Sequence, residues 1–217
     1  MRCVKLLTLA LAFLVFMANG CATSPVDQTA TSSAAQKPVR SSATLVEEPV
    51  SPALQQAYDQ ALAHLKAGRD KEAEQALRAL AQRAPDLSGP QANLGVLYRR
   101  TGRTKEAIEA LNRAISLNSR RAAYYNELGI LYRQEGKFED AKRQYLKAID
   151  TDAEYPLAHL NIAILYDLYL QDPKKALPHY QRYQQLLSKE DGMVAKWILD
   201  LERRTRSVVT KPNKEKG

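Results

Sequence analysis

Residues 122–150 read AAYYNELGILYRQEGKFEDAKRQYLKAID. Apolar side chains recur at helical spacing in the first half, through Leu128 and Tyr132, and again in the second, through Ala141, Tyr145 and Ile149. Gly136 falls between the halves, where a left-handed backbone ends one helix most easily. The stretch is therefore two amphipathic helices joined by a tight turn. Gly129 sits in the middle of the first helix, at a cost of about 1 kcal/mol against Ala. That cost is tolerable where a missing side chain lets two helices approach closely.

Outward from this stretch the pattern repeats every 34 residues. Gly68, Gly102 and Gly136 share a column, as do Ala73, Ala107 and Ala141; Gly95 and Gly129; Leu94, Leu128 and Ile162; and Tyr98, Tyr132 and Tyr166. Helix pairs are predicted at 53–67/70–84, 88–101/104–118, 122–135/138–151 and 156–170/173–187. A period held this long marks stacked supersecondary units, each burying its apolar face against the next.

The column small-x₂-Tyr, then Gly, then Ala-x₃-Leu/Tyr-x₂-Ala resembles the tetratricopeptide repeat, and the central unit matches it almost completely. The resemblance covers 51–187 as four units, about 54–87, 88–121, 122–155 and 156–188. It implies an all-α fold, a right-handed α-solenoid of helix–turn–helix units with a C-terminal capping helix. The first unit departs as a terminal unit would, with Gln60 and His64 at apolar and Tyr positions. The fourth has Leu170 at the Gly column, one extra residue before Ala176, and Pro178 inside its second helix, which removes a hydrogen bond and either costs about 3 kcal/mol or kinks the helix. Asp172-Pro173 form a favourable N-cap and first-turn pair. Residues 189–206 are expected as the capping helix, with Met193, Val194, Trp197, Ile198 and Leu201 on one stripe; a partner-binding helix is the alternative. Residues 207–217 are expected as a basic, disordered tail.

Before the repeats lie three short segments. Arg2 and Lys5 precede an uncharged run, Leu6–Ala18, too short to span a bilayer, so 1–20 read as a cleavable signal. Ala18-Asn19-Gly20-Cys21 resembles a bacterial lipobox, although that family prefers Leu where Ala18 stands. The resemblance implies acylation of Cys21, palmitate included; an ordinary signal peptide leaving Cys21 a free thiol is the alternative. Ala22 resembles the sorting pattern of outer-membrane lipoproteins, which places the chain on the bacterial outer membrane, lipid-anchored and facing the periplasm. Residues 21–50, rich in Ser, Thr, Ala and Pro without an aromatic, read as a flexible linker. At ~5–6 Å × √n it reaches roughly 30 Å.

Composition narrows the function. Of the net charge of +8, most resides in the leader and in the last sixteen residues, so the body is nearly neutral and nucleic acid is not an expected partner. His64, His159 and His179 lack metal-ligand spacing, and no phosphate loop or nucleophile motif occurs. No enzyme, cofactor, metal or small-molecule substrate is expected.

What remains is a surface. The resemblance implies that first helices line a concave face that docks peptides or partner helices. Carried over by position, its lining is Tyr58, Leu62 and Lys66; Asn93, Val96, Arg99 and Arg100; Asn126, Glu127, Ile130 and Arg133; and Leu160, Asn161, Ile164 and Asp167. Asn side chains can bond a bound backbone, or serve the repeat itself; the arginines can attract an acidic segment, or form a solvated helix end. The dicarboxylate clamp of chaperone-binding members matches only at Asn93, since Tyr58, Leu62, Ala123 and Glu127 fill its other positions. The expected role is a membrane-tethered scaffold that assists a cell-envelope complex such as a pilus, a secretion apparatus or a TonB-type system. The alternative is an adaptor that recruits a peptidoglycan hydrolase or a protease in the periplasm.

Overall fold

The computed structural model describes residues 51–209. The signal, Cys21, the linker to residue 50 and residues 210–217 lie outside the described residues. Within them the helices are α1 (Pro52–Lys66), α2 (Asp70–Arg83), α3 (Ser88–Arg100), α4 (Thr104–Leu117), α5 (Ala122–Gln134), α6 (Phe138–Thr151), α7 (Pro156–Ile164), α8 (Pro173–Leu186) and α9 (Gly192–Val209), with a π-helical segment at Leu165–Tyr169. No strand occurs among the described residues.

Each first helix packs on its own second helix, and each second helix on the next first helix; α3 with α5 and α5 with α7 also touch. The fold is an all-α solenoid of helix–turn–helix units. Its interior alternates small and large side chains. Ala107, Ala141 and Ala176 are fully buried, as are Leu111, Tyr145 and Tyr180 four residues on. The mid-helix glycines face these large residues. A Cβ on Gly95 would lie 2.6 Å from Leu111 Cγ, and one on Gly129 would lie 2.5 Å from Tyr145 Cδ1. Helix propensity is given up here for close approach.

The hairpins close in one way three times. Gly68, Gly102 and Gly136 adopt φ of +68°, +76° and +73°. The next N–H then reaches back five residues, as from Arg103 to the Tyr98 carbonyl at 2.8 Å. In the fourth unit the left-handed position is Gln171, at φ +52°. There the closing bond, from Asp172 N–H to the Tyr166 carbonyl at 2.8 Å, spans six residues. The π-helical segment holds the extra residue, so Ala176 and Tyr180 still occupy the stations of Ala141 and Tyr145.

α8 runs from Pro173 to Leu186 with Pro178 inside it, behind an Asp172 cap that accepts from Lys175 N–H at 3.1 Å. One expectation about the C-terminal part needs correcting. The last helix starts at residue 192, not 189. Asp191 caps it, accepting from Met193 and Val194 N–H groups at 2.9 and 3.2 Å, and Gln184 fixes Asp191 through its main chain. That cap outcompetes any start among Lys189 and Glu190. The helix continues to Val209, into the stretch expected as tail. Its expected stripe also divides. Val194 and Leu201 are buried and Ile198 packs beside them, whereas Met193 is exposed and Trp197 lies over Tyr180 at 5.6 Å.

Candidate functional site

The first helices bring equivalent residues into columns. Leu62, Val96, Ile130 and Ile164 form one of them. Leu62 is buried, and the other three are only half-buried, so an aliphatic stripe runs along the first helices incompletely covered. Leu160 is half-buried beside it, and Lys66 is exposed at the end of α1.

Neighbouring units meet along polar seams. Asn93 donates to the Tyr58 hydroxyl at 2.6 Å and to the Gly89 carbonyl at 3.1 Å. Asn161 donates to Asn126 Oδ1 at 2.9 Å. Between these seams Arg99 donates to Glu127 at 2.9 Å, bridging α3 and α5. Burial lifts the Glu127 carboxyl above the usual range, against the pull of Arg99. Asp167 accepts from Arg204 of α9 at 2.8 Å, which ties the capping helix back to the fourth unit.

Several residues expected as free lining are thus engaged within the chain. Tyr58, Leu62, Asn93 and Asn126 are buried, because the seam between units encloses the side chains nearest the neighbouring first helix. They hold units together. Arg100 is engaged as well, donating to the Leu65 carbonyl of α1 at 2.9 Å and pairing with Asp70 of α2. Val96, Glu127, Ile130, Arg133, Leu160, Asn161, Ile164 and Arg99 remain partly accessible.

Arg133 differs from the other cations here. It donates through Nε to the Tyr145 hydroxyl at 3.3 Å and through Nη1 to the Tyr169 hydroxyl at 3.1 Å, and lies over the Tyr169 ring at 5.4 Å. Phe138 supports that ring at 5.0 Å. Burial works against its charge, but the two hydroxyls outweigh it and hold its pKa above the usual arginine value.

Groups suited to chemistry are engaged in structure. His159 and His179, both of the fourth unit, meet at 3.1 Å between Nδ1 atoms, and His159 Nε2 lies 3.2 Å from the Ala153 carbonyl. That carbonyl can only accept, so His159 carries its proton on Nε2 and takes one from His179 Nδ1. Burial, with His159 alongside, pushes the His179 pKa down to about 4. No cluster of three His, Cys, Asp or Glu residues that could hold a metal occurs among the described residues. A cleft of about 500 Å³ lies between α2, α3 and α4, with Arg78, Tyr98 and Glu106 in its lining. Arg103 joins Glu74 at 2.6 Å to Glu106 and lies over Tyr98 at 4.2 Å, and Tyr98 donates to Glu74 at 3.1 Å. Arg103 holds the Glu74 carboxyl below its usual range. The sequence offered no sign of the histidine pair, which depends on how α7 packs on α8.

Three family models described as tetratricopeptide repeat match residues 57–86, 93–154 and 126–191, together more than half of the chain. The chain belongs to the tetratricopeptide-repeat family. Similar solved structures include PilF of Pseudomonas aeruginosa, at 24% identity and TM-score 0.64 over 72% of this chain and 71% of that one. A tetratricopeptide-repeat protein of Thermus thermophilus is similar at 23% identity and TM-score 0.57, over 73% and 82%. MamA is similar at 19% identity and TM-score 0.54, over 71% and 81%. These likenesses are of fold. A search of curated protein sequences finds no match. The tetratricopeptide-repeat fold is that of a protein–protein interaction scaffold, and such repeats are generally non-catalytic.

Proposed function

We propose that this repeat protein is a lipid-anchored scaffold on the periplasmic side of a bacterial outer membrane. It docks a segment of an envelope-complex protein on the face of its first helices. The observation that carries this reading is the aliphatic column Val96, Ile130 and Ile164, half-buried along helices that touch one another. Such a stripe gains from being covered, at roughly 25 cal/mol per Å² of apolar surface removed from water. Acylation of Cys21 and the 21–50 linker would hold the face near the membrane at high local concentration.

The test is a photo-crosslinking residue placed at Ile130 in intact cells, with the exposed Leu146 of α6 as control. A discrete adduct with a pilus, secretion or TonB-type component at Ile130 alone is expected. A hydrolase or protease there would favour recruitment instead. Equal adducts at both positions would remove the docking face.

A further inference from the structure

Position by position, the first helices carry an internal control on charge. Arg99, Arg133 and Asp167 occupy one column. Arg99 is neutralised by Glu127, 28 residues ahead of it. Asp167 is neutralised by Arg204. The position 28 residues ahead of Arg133 is Asn161, which bears no charge and donates instead to Asn126. Among the described residues Arg133 therefore has only the hydroxyls of Tyr145 and Tyr169 and the Tyr169 ring as partners. A guanidinium has five N–H donors, and hydrogen bonds to neutral oxygens satisfy it less well than a carboxylate does.

A buried amide two turns earlier on the same helix is also incomplete. Asn126 Nδ2 has no hydrogen-bond partner although Asn126 is 1% exposed. Asn126 and Arg133 lie two turns apart on α5, about 10 Å along its axis, with half-buried Ile130 between them. Where α5 meets the fourth unit, Arg133 is thus, among the described residues of this column, the cation held in orientation by neutral partners alone.

The geometry points to a carboxylate-binding site at Arg133 that takes an Asp or Glu side chain from an acidic segment of a partner protein. The partner's acid stands in for the one that Glu127 supplies to Arg99. An apolar residue next to that acid lies over Ile130 and Ile164. This rests on the docking face proposed above and gives its occupant a chemical class.

The test uses the full chain and a fluorescein-labelled, end-capped octapeptide of alternating Glu and Leu, read by polarisation, with its Gln–Leu counterpart. The Glu peptide should bind and the Gln peptide should bind at least about tenfold more weakly. Arg133→Gln should lose about the same factor and Arg133→Lys less, while Arg99→Gln should change little. Asn161→Glu supplies the missing acid within the chain, and should block the Glu peptide with Arg133 intact; Asn161→Ala, which loses the same bond to Asn126 without adding charge, should still bind it. Equal losses in Arg99→Gln and Arg133→Gln, equal binding of both peptides, or no effect of Asn161→Glu would overturn the assignment. So would equally tight binding of a Gln–Leu peptide with a free C-terminal carboxylate, which assigns the site to a chain end. If the crosslinked partner is lost in Ile130→Glu but kept in Arg133→Gln, the docking face stands and the carboxylate site falls. If neither change matters, the face itself falls.

Discussion

Gly129→Ala sets two known effects against each other at one atom. Replacing a mid-helix Gly by Ala favours the helix by about 1 kcal/mol. Against this, the new Cβ would lie 2.5 Å from Tyr145 Cδ1, far inside ordinary contact. Tyr145 cannot swing aside freely, being fully buried with its hydroxyl held by Arg133 at 3.3 Å. Overpacking of this sort costs typically 1–3 kcal/mol, and a rigid ring belongs at the upper end. The net expectation is a loss of about 1–2 kcal/mol, or roughly 2–8 °C in Tm for a protein of this size. Thermal melting followed by circular dichroism at the helical band measures it. Gly68→Ala is the companion, because nothing lies within 4 Å of its Cβ and only its φ of +68° resists, at about 1 kcal/mol. A Gly129→Ala protein that melts at or above the wild-type temperature would show that the close approach does not determine the choice of Gly.

Three further outcomes are expected. Gln171→Gly relieves a left-handed, non-glycine turn and should raise Tm by a few degrees, about 1 kcal/mol, in the same melt. The depressed pKa of His179, about 4 against an ordinary 6.5, means that the unfolded chain takes up this proton first. Its contribution is full above pH 6.5 and is lost as pH falls towards 4; wild-type urea midpoints should therefore fall more steeply over that range than those of His179→Gln. Labelled palmitate should enter the wild-type chain in growing cells and be absent from Cys21→Ala; label in the variant would refute acylation at Cys21.

The repeat was readable because its determinants are local and recur. A Gly column that must turn left-handed, a mid-helix Gly column facing a large side chain and a buried Ala column each leave a mark at a 34-residue spacing. The face was only partly readable. Column assignment places a side chain on a helix but does not say what its neighbours take from it. Asn93 and Tyr58 satisfy each other, Arg100 turns to the Leu65 carbonyl, and Arg204 arrives on Asp167 from a helix outside the repeat pattern. The pairing of Arg99 with Glu127 was not legible either, because only the packing of α3 against α5 sets its 28-residue offset, and with it the missing acid opposite Arg133. Nor was the Tyr169 hydroxyl, since a π-helical turn sets its direction.

That turn has a consequence for how the chain tolerates change in length. One residue inserted into an α-helix rotates everything beyond it by about 100° and would carry the next apolar stripe off its target. At Leu165–Tyr169 the surplus is contained within a single widened loop of backbone, and the downstream hairpin keeps its phase. The fourth unit thus contains a shim, where a longer chain still brings Ala176 and Tyr180 to their buried stations.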